Sequence, residues 1–138
     1  MVEFSVRYEG DLRCRSTHGP SGSELPTDAP ADNMGKGESF SPTDLTATSL
    51  ATCMLTTMAI GAKKNNLAVD ITGAGARVVK HMTSAPPRRI AKIEVELDIP
   101  AAANHPDRAK LEEFALQCPV ALSLHPEVEK AVTFRWIG

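Results

Sequence analysis

Cysteine is scarce in this chain, and its arrangement excludes several functions. Only Cys14, Cys53 and Cys118 occur, an odd count that does not make the disulfide framework of a secreted domain. No two of them stand at CxxC spacing, so the short motifs of zinc sites and thioredoxin-like centres are missing. A basic excess is missing too. Lys and Arg number 15 against 17 Asp and Glu, which leaves no cationic footprint for nucleic acid. His18, His81, His105 and His125 lack metal-ligand spacing with one another. Gly35-Lys36-Gly37 lacks the spacing of a phosphate loop. No basic, apolar leader opens the chain. Met1 to Val6 reads as a strand instead, so the expected location is a reducing cytoplasm.

What is present describes one soluble domain spanning residues 1–138, able to bury roughly two-thirds of its unfolded surface. Its residues are 42% hydrophobic and 23% charged, ordinary for a globular protein. From Leu45 to Ala62 no residue is charged, close to the length of a membrane span. Thr46, Thr48, Ser49, Thr52, Thr56 and Thr57 make it too polar for that role. We read it as a helix buried on nearly all sides, its hydroxyls bonding back to the preceding turn.

The pattern gives an α+β fold in the order three strands, helix, two strands, two helices, strand. Alternation predicts strands over Val2–Tyr8, Leu12–Thr17 and Ser23–Thr27. A polar loop from Asp28 to Phe40 follows, long enough to carry function. Ser41 as N-cap, Pro42 at the first helical position and Asp44 reaching back predict a helix from Pro42 to about Asn65-Asn66. Ala68–Thr83, with a bulge at Gly73 and Gly75, and Ile90–Ile99 predict an antiparallel pair. A second helix opens at His105-Pro106-Asp107. Pro119 disfavours helix at Cys118, so a short third helix runs Pro119–Leu124, and a last strand, Ala131–Ile137, places Val132, Phe134 and Trp136 on one face.

Cys53 lies deep in the uncharged helix and Cys118 directly before a proline. Far apart in sequence, they suggest two sulfurs brought together by the fold, one attacking an oxidant and the other resolving it. The plainer account makes Cys53 a buried small hydrophobe and Cys118 a helix-break residue. Met54 and Met58, one turn apart, fit core or dimer packing, or the lining of an apolar pocket.

With these elements in order, the chain resembles the OsmC/Ohr family of osmotically induced and organic-hydroperoxide-resistance proteins. The residues that carry the resemblance are Tyr8-Glu9-Gly10, Thr27 to Asn33, Gly35-Lys36-Gly37-Glu38, Ser41-Pro42-Thr43-Asp44-Leu45, Cys53 and Cys118-Pro119-Val120. The resemblance implies an intertwined homodimer, with strands shared into sheets around two long central helices. It also implies reduction of organic and inorganic hydroperoxides by a peroxidatic and a resolving cysteine, here Cys53 and Cys118. A lipoamide-like dithiol serves as reductant, and no metal or other cofactor takes part. An arginine and a glutamate support the thiolate in the family. Arg13 and Arg15 both fit the arginine, and Arg13 is preferred. The family's glutamate position holds Thr43, about 15 Å of helix from Cys53, so the family's contact comes from the partner chain. Glu38 is taken as its substitute, with Asp44 the other candidate. Cys14 lies outside the matched motifs, and His18 reads as a surface turn residue rather than a base near Cys53.

Two other functional classes stand beside the peroxidase. One is a non-catalytic module of the same fold, binding a small apolar or reactive-sulfur ligand at the dimer interface. The other is a transition-metal site made of Cys53, Cys118 and a histidine. Two sulfurs close enough to bond, with a cation nearby, separate the peroxidase from both.

Overall fold

The computed structural model describes all of residues 1–138. It comprises two compact units, Met1–Thr46 and Ala47–Gly138, with the long helix running from one into the other.

The first unit is an antiparallel meander of β1 (Phe4–Gly10), β2 (Arg13–His18) and β3 (Glu24–Asp28). Tyr8 faces Cys14, and Arg13 faces Asp28. The tight β1–β2 turn places Gly10, Asp11 and Leu12 all at positive φ, 87°, 54° and 60°. Phe4, Val6 and Tyr8, the apolar positions of β1, are all exposed. The loop after β3 folds back on itself. Gly37 N donates to Ala29 O at 3.1 Å, and Asp28 N donates to Phe40 O at 3.1 Å. At Gly35 a Cβ would stand 1.8 Å from the Ala29 oxygen, so only glycine lets the two arms of the loop pass.

Helix α1 spans Pro42–Lys64, and both its ends follow from side-chain chemistry. At the start, Asp44 Oδ2 accepts from Ser41 N at 2.9 Å and Ser41 Oγ accepts from Asp44 N at 3.1 Å. This reciprocal box satisfies two of the donors left open by the first turn. At the end, Asn66 turns left-handed with φ 52°. Leu67 N then reaches Ala62 O at 2.9 Å and Asn66 N reaches Lys63 O at 3.3 Å, the paired bonds of a Schellman stop.

In the second unit β4 (Gly75–Met82) and β5 (Ile90–Ile99) pair antiparallel. Strand β6 (Glu129–Trp136) lies parallel to β5. The crossover between β5 and β6 carries α2 (Arg108–Leu116) and α3 (Pro119–Ser123). Ile93, Val95, Leu97 and Ile99 point every second side chain of β5 into the core, and Ile90 joins them from beyond the register shift. They join Ala47, Leu50, Ala51, Met54, Met58 and Ala62 of α1, with Leu111, Ala115, Cys118 and Ala121, in one apolar cluster.

Three sequence expectations need correction. Residues 68–74 are not strand. Asp70 Oδ1 takes bonds from Thr72 N at 2.9 Å and Thr72 Oγ1 at 2.6 Å, and this side-chain turn displaces the ladder. The register shift lies between His81 and Met82 rather than at Gly73 and Gly75. Helix α1 is long and apolar enough to cross a membrane by length and composition, yet only one stripe of it is buried, and Thr52, Thr56, Ala59 and Ile60 are exposed. The expected back-bonding is present, as in Thr46 Oγ1 to Pro42 O at 3.3 Å.

Gly61 is where α1 meets α2. A Cβ there would lie 2.2 Å from the Phe114 ring. Alanine normally gains about 1 kcal/mol over glycine inside a helix, whereas overpacking costs about 1–3 kcal/mol. The clash should win. Gly61→Ala is expected to lower the urea midpoint by the equivalent of about 1 kcal/mol, measured by denaturation followed by circular dichroism.

Candidate redox thiol site

The two distant cysteines meet. Cys53, half-buried on α1, packs against the core, and Cys118 is wholly buried. Their thiols are neighbours, close enough for the charge on one to act on the other. All three cysteines are reduced. The meeting follows from local structure on each side. On α1, at 100° per residue, Cys53 falls on the flank of the buried stripe, and its sulfur lies 3.8 Å from Thr57 Oγ1 one turn later. On the other side, Pro119 forces Cys118 out of helix. Its backbone is extended at ψ 149°, it caps α3, and its Sγ accepts from Ala121 N at 3.4 Å.

Burial pushes the Cys118 thiol up, and the adjacent Cys53 sulfur pushes it further. The N–H groups of Ala121 and Val120 oppose the shift without cancelling it. Cys118 therefore keeps its proton at neutral pH. A reduced pair of neighbouring thiols needs only oxidation of one sulfur to become a disulfide.

Arg13 and Glu38 lie in the first unit and are joined there. Arg13 Nη2 reaches Glu38 Oε2 at 3.2 Å and Asp28 Oδ2 at 3.4 Å. The bond to Glu38, then the charge of Asp28, hold the guanidinium protonated even more firmly than usual. Asp28 was not among the expected site residues. The signal for it was the hairpin register, which sets it directly across from Arg13.

The remaining candidates have structural roles. Asp44 is engaged in the capping box. Arg15 pairs with Glu9 and Glu24 at 3.3 and 3.4 Å. His18 sits in a turn, its Nδ1 2.6 Å from Ser21 Oγ and its ring stacked on Phe4. Met54 and Met58 are core residues. No three His, Cys, Asp or Glu side chains converge as a metal would require.

The fold and its thiol pair define a small α+β protein with two neighbouring reduced cysteines. The model of the OsmC-like protein family matches residues 35–132, and the chain belongs to that family. A structure from Psychrobacter arcticus 273-4, provisionally named an osmotic stress induced and detoxification response protein, is 42% identical. The match covers 98% of this chain and 96% of that one, with TM-score 0.89. The organic hydroperoxide resistance protein OsmC of Legionella pneumophila shares the fold at 13% identity and TM-score 0.75, over 97% and 96% of the two chains. OhrB of Bacillus subtilis, an organic hydroperoxide resistance protein, does so at 15% and 0.68, over 98% of each. No curated protein matches.

The raised thiol sets a pH dependence. A folded value above the unfolded one stabilises the protein fully below the unfolded value, near about 8.5. That stability is lost as pH rises through the folded value. Under reducing conditions the urea midpoint should therefore fall as pH climbs past about 8.5, and the decline should be shallower in Cys118→Ala.

Proposed function

We propose that this protein is a thiol-dependent peroxidase that reduces organic hydroperoxides. The observation that carries the reading is the neighbouring pair of reduced thiols, Cys53 half-buried and Cys118 fully buried. The Cys53 thiolate attacks the O–O bond of ROOH, which with one proton gives ROH and a Cys53 sulfenic acid. The Cys118 thiol condenses with that sulfenic acid, releasing water and forming the Cys53–Cys118 disulfide. A dithiol of the lipoamide type reopens it by exchange, becoming the cyclic disulfide and restoring both thiols. Neighbours named for organic hydroperoxide resistance share the fold, which favours this substrate class.

The same reading includes a homodimer working in the cytoplasm. Exposed Phe4, Val6 and Tyr8 on β1 and the uncharged exposed face of α1, Thr52, Thr56, Ala59 and Ile60, support the dimer. Apolar surface of that extent calls for a covering partner.

The test is turnover of an organic hydroperoxide with dihydrolipoamide, on wild type, Cys53→Ser and Cys118→Ser. Cys53→Ser should lose at least about a hundredfold in kcat/KM, about 2.7 kcal/mol of transition-state stabilisation. Cys118→Ser should accumulate a sulfenic acid that dimedone traps. Equal, slow rates in all three would sink the assignment and favour a non-catalytic ligand-binding module.

A further inference from the structure

The hydroxyls along α1 are spent in two ways. Thr46 Oγ1 donates to Pro42 O at 3.3 Å, and Thr52 Oγ1 donates to Thr48 O at 3.2 Å. Bonding back by one turn is the ordinary habit of a helical threonine. Thr57 departs from it. Its Oγ1 lies 3.8 Å from Cys53 Sγ, within hydrogen-bond reach of the larger sulfur atom. Both residues are half-buried, so water competes for the bond only in part. Both also belong to α1, four positions apart. Helical side chains lean toward the N-terminus, which carries the Thr57 hydroxyl over the sulfur one turn below. The other polar group beside Cys53 is the Cys118 thiol, and its part in the cycle is to resolve.

We propose that Thr57 is a further catalytic residue, its hydroxyl donating to the Cys53 sulfur and stabilising the thiolate that attacks the peroxide. The catalytic part rests on the peroxidase reading above, whereas the bond to the thiolate does not. A hydroxyl is donor and acceptor at once, and its hydrogen rotates to suit. Opposite a neutral thiol, either atom can give the hydrogen. Opposite a thiolate only the hydroxyl can, and the bond becomes charge-assisted, shorter and roughly twice as strong. The contact therefore favours the ionised sulfur over the neutral one. Once the sulfenic acid forms the charge is gone and the bond weakens again. Thr57 thus does not hold the sulfur back from closing on Cys118.

Thr57→Val removes the hydroxyl and keeps the branched shape, while Thr57→Ser keeps the hydroxyl and removes the methyl. On the full-length reduced protein, the pH profile of Cys53 alkylation by iodoacetamide is followed by mass spectrometry. In Thr57→Val its midpoint is expected to rise by about one unit. The plateau at high pH should be retained, since a thiolate of higher proton affinity is no weaker a nucleophile. Thr57→Ser should follow the wild-type profile. Near neutral pH, kcat/KM for cumene hydroperoxide should fall about tenfold in Thr57→Val, in step with the thiolate fraction, and recover in Thr57→Ser. An unmoved midpoint in Thr57→Val overturns the proposal, and so does an equal shift in Thr57→Ser. A lowered plateau with the midpoint in place also overturns it, as the mark of a displaced sulfur. If Thr57→Val does not fold, Thr57→Ala takes its place and is judged by the same outcomes. The peroxidase reading fails separately, through absence of turnover in wild type. Alkylation needs no turnover and still decides on the bond from Thr57.

Discussion

The buried stripe of α1 is the constraint on which the second unit depends. Leu50, Met54 and Met58 are each at most 1% exposed, and full burial of side chains this size contributes about 1.5–3 kcal/mol apiece. That packing leaves α1 little freedom to rotate about its own axis. With rotation fixed, Cys53 has one place to be, on the flank of the stripe, half out of the core. The crossover helices fix the other sulfur. Leu111 and Ala115 are fully buried on α2, and the chain then breaks at Cys118 because Pro119 disfavours helical backbone in the residue before it. The thiol contact is therefore a product of packing on one side and of proline geometry on the other. Neither cysteine contributes the order on which its own position depends.

Much of this was legible in the sequence where a signal was local. The Ser41/Asp44 box, the asparagine stop of α1, the alternation of β5 from Ile93 to Ile99 and the break at Cys118 each depend on residues within a few positions of one another. The structure places all four as expected. The turn over residues 70–74 was misread because Val69 and Ile71 alternate as a strand would, while the Asp70 carboxylate offers Thr72 a bond that competes with the ladder. The one-sided burial of α1 was hidden for a different reason. Hydroxyl side chains suit both a buried helix, by bonding back to their own carbonyls, and an exposed one, so composition alone does not separate the two.

Asp28 was illegible for a third reason. In sequence it is one more acidic residue at the start of a polar loop. It becomes distinctive only when the β2–β3 register sets it opposite Arg13 and the loop's return brings Glu38 N onto the same oxygen. Long-range pairing gave it a role that no spacing along the chain encodes. Arg13 and Glu38 were reached from the family resemblance, and the structure pairs them with each other. Arg15, the competing arginine, alternates to the same face of β2 but spends its guanidinium on Glu9 and Glu24.

On the proposed reading, the difference between the two thiols also orders the reaction. A peroxide arriving from solvent meets Cys53, because Cys118 has no exposed surface. Burial that shields Cys118 also keeps it protonated, and a protonated thiol is a poor nucleophile toward peroxide. Both effects delay Cys118 until Cys53 has reacted. Once the sulfenic acid forms, the packing that makes the two sulfurs neighbours has already set the nucleophile beside its target. The N–H groups of Ala121 and Val120 are aimed at the Cys118 sulfur, where they stabilise negative charge as its proton leaves. A site with two equally exposed, equally acidic thiols would be open to attack and over-oxidation at either sulfur. Unequal burial gives one sulfur the oxidant and reserves the other for closing the disulfide.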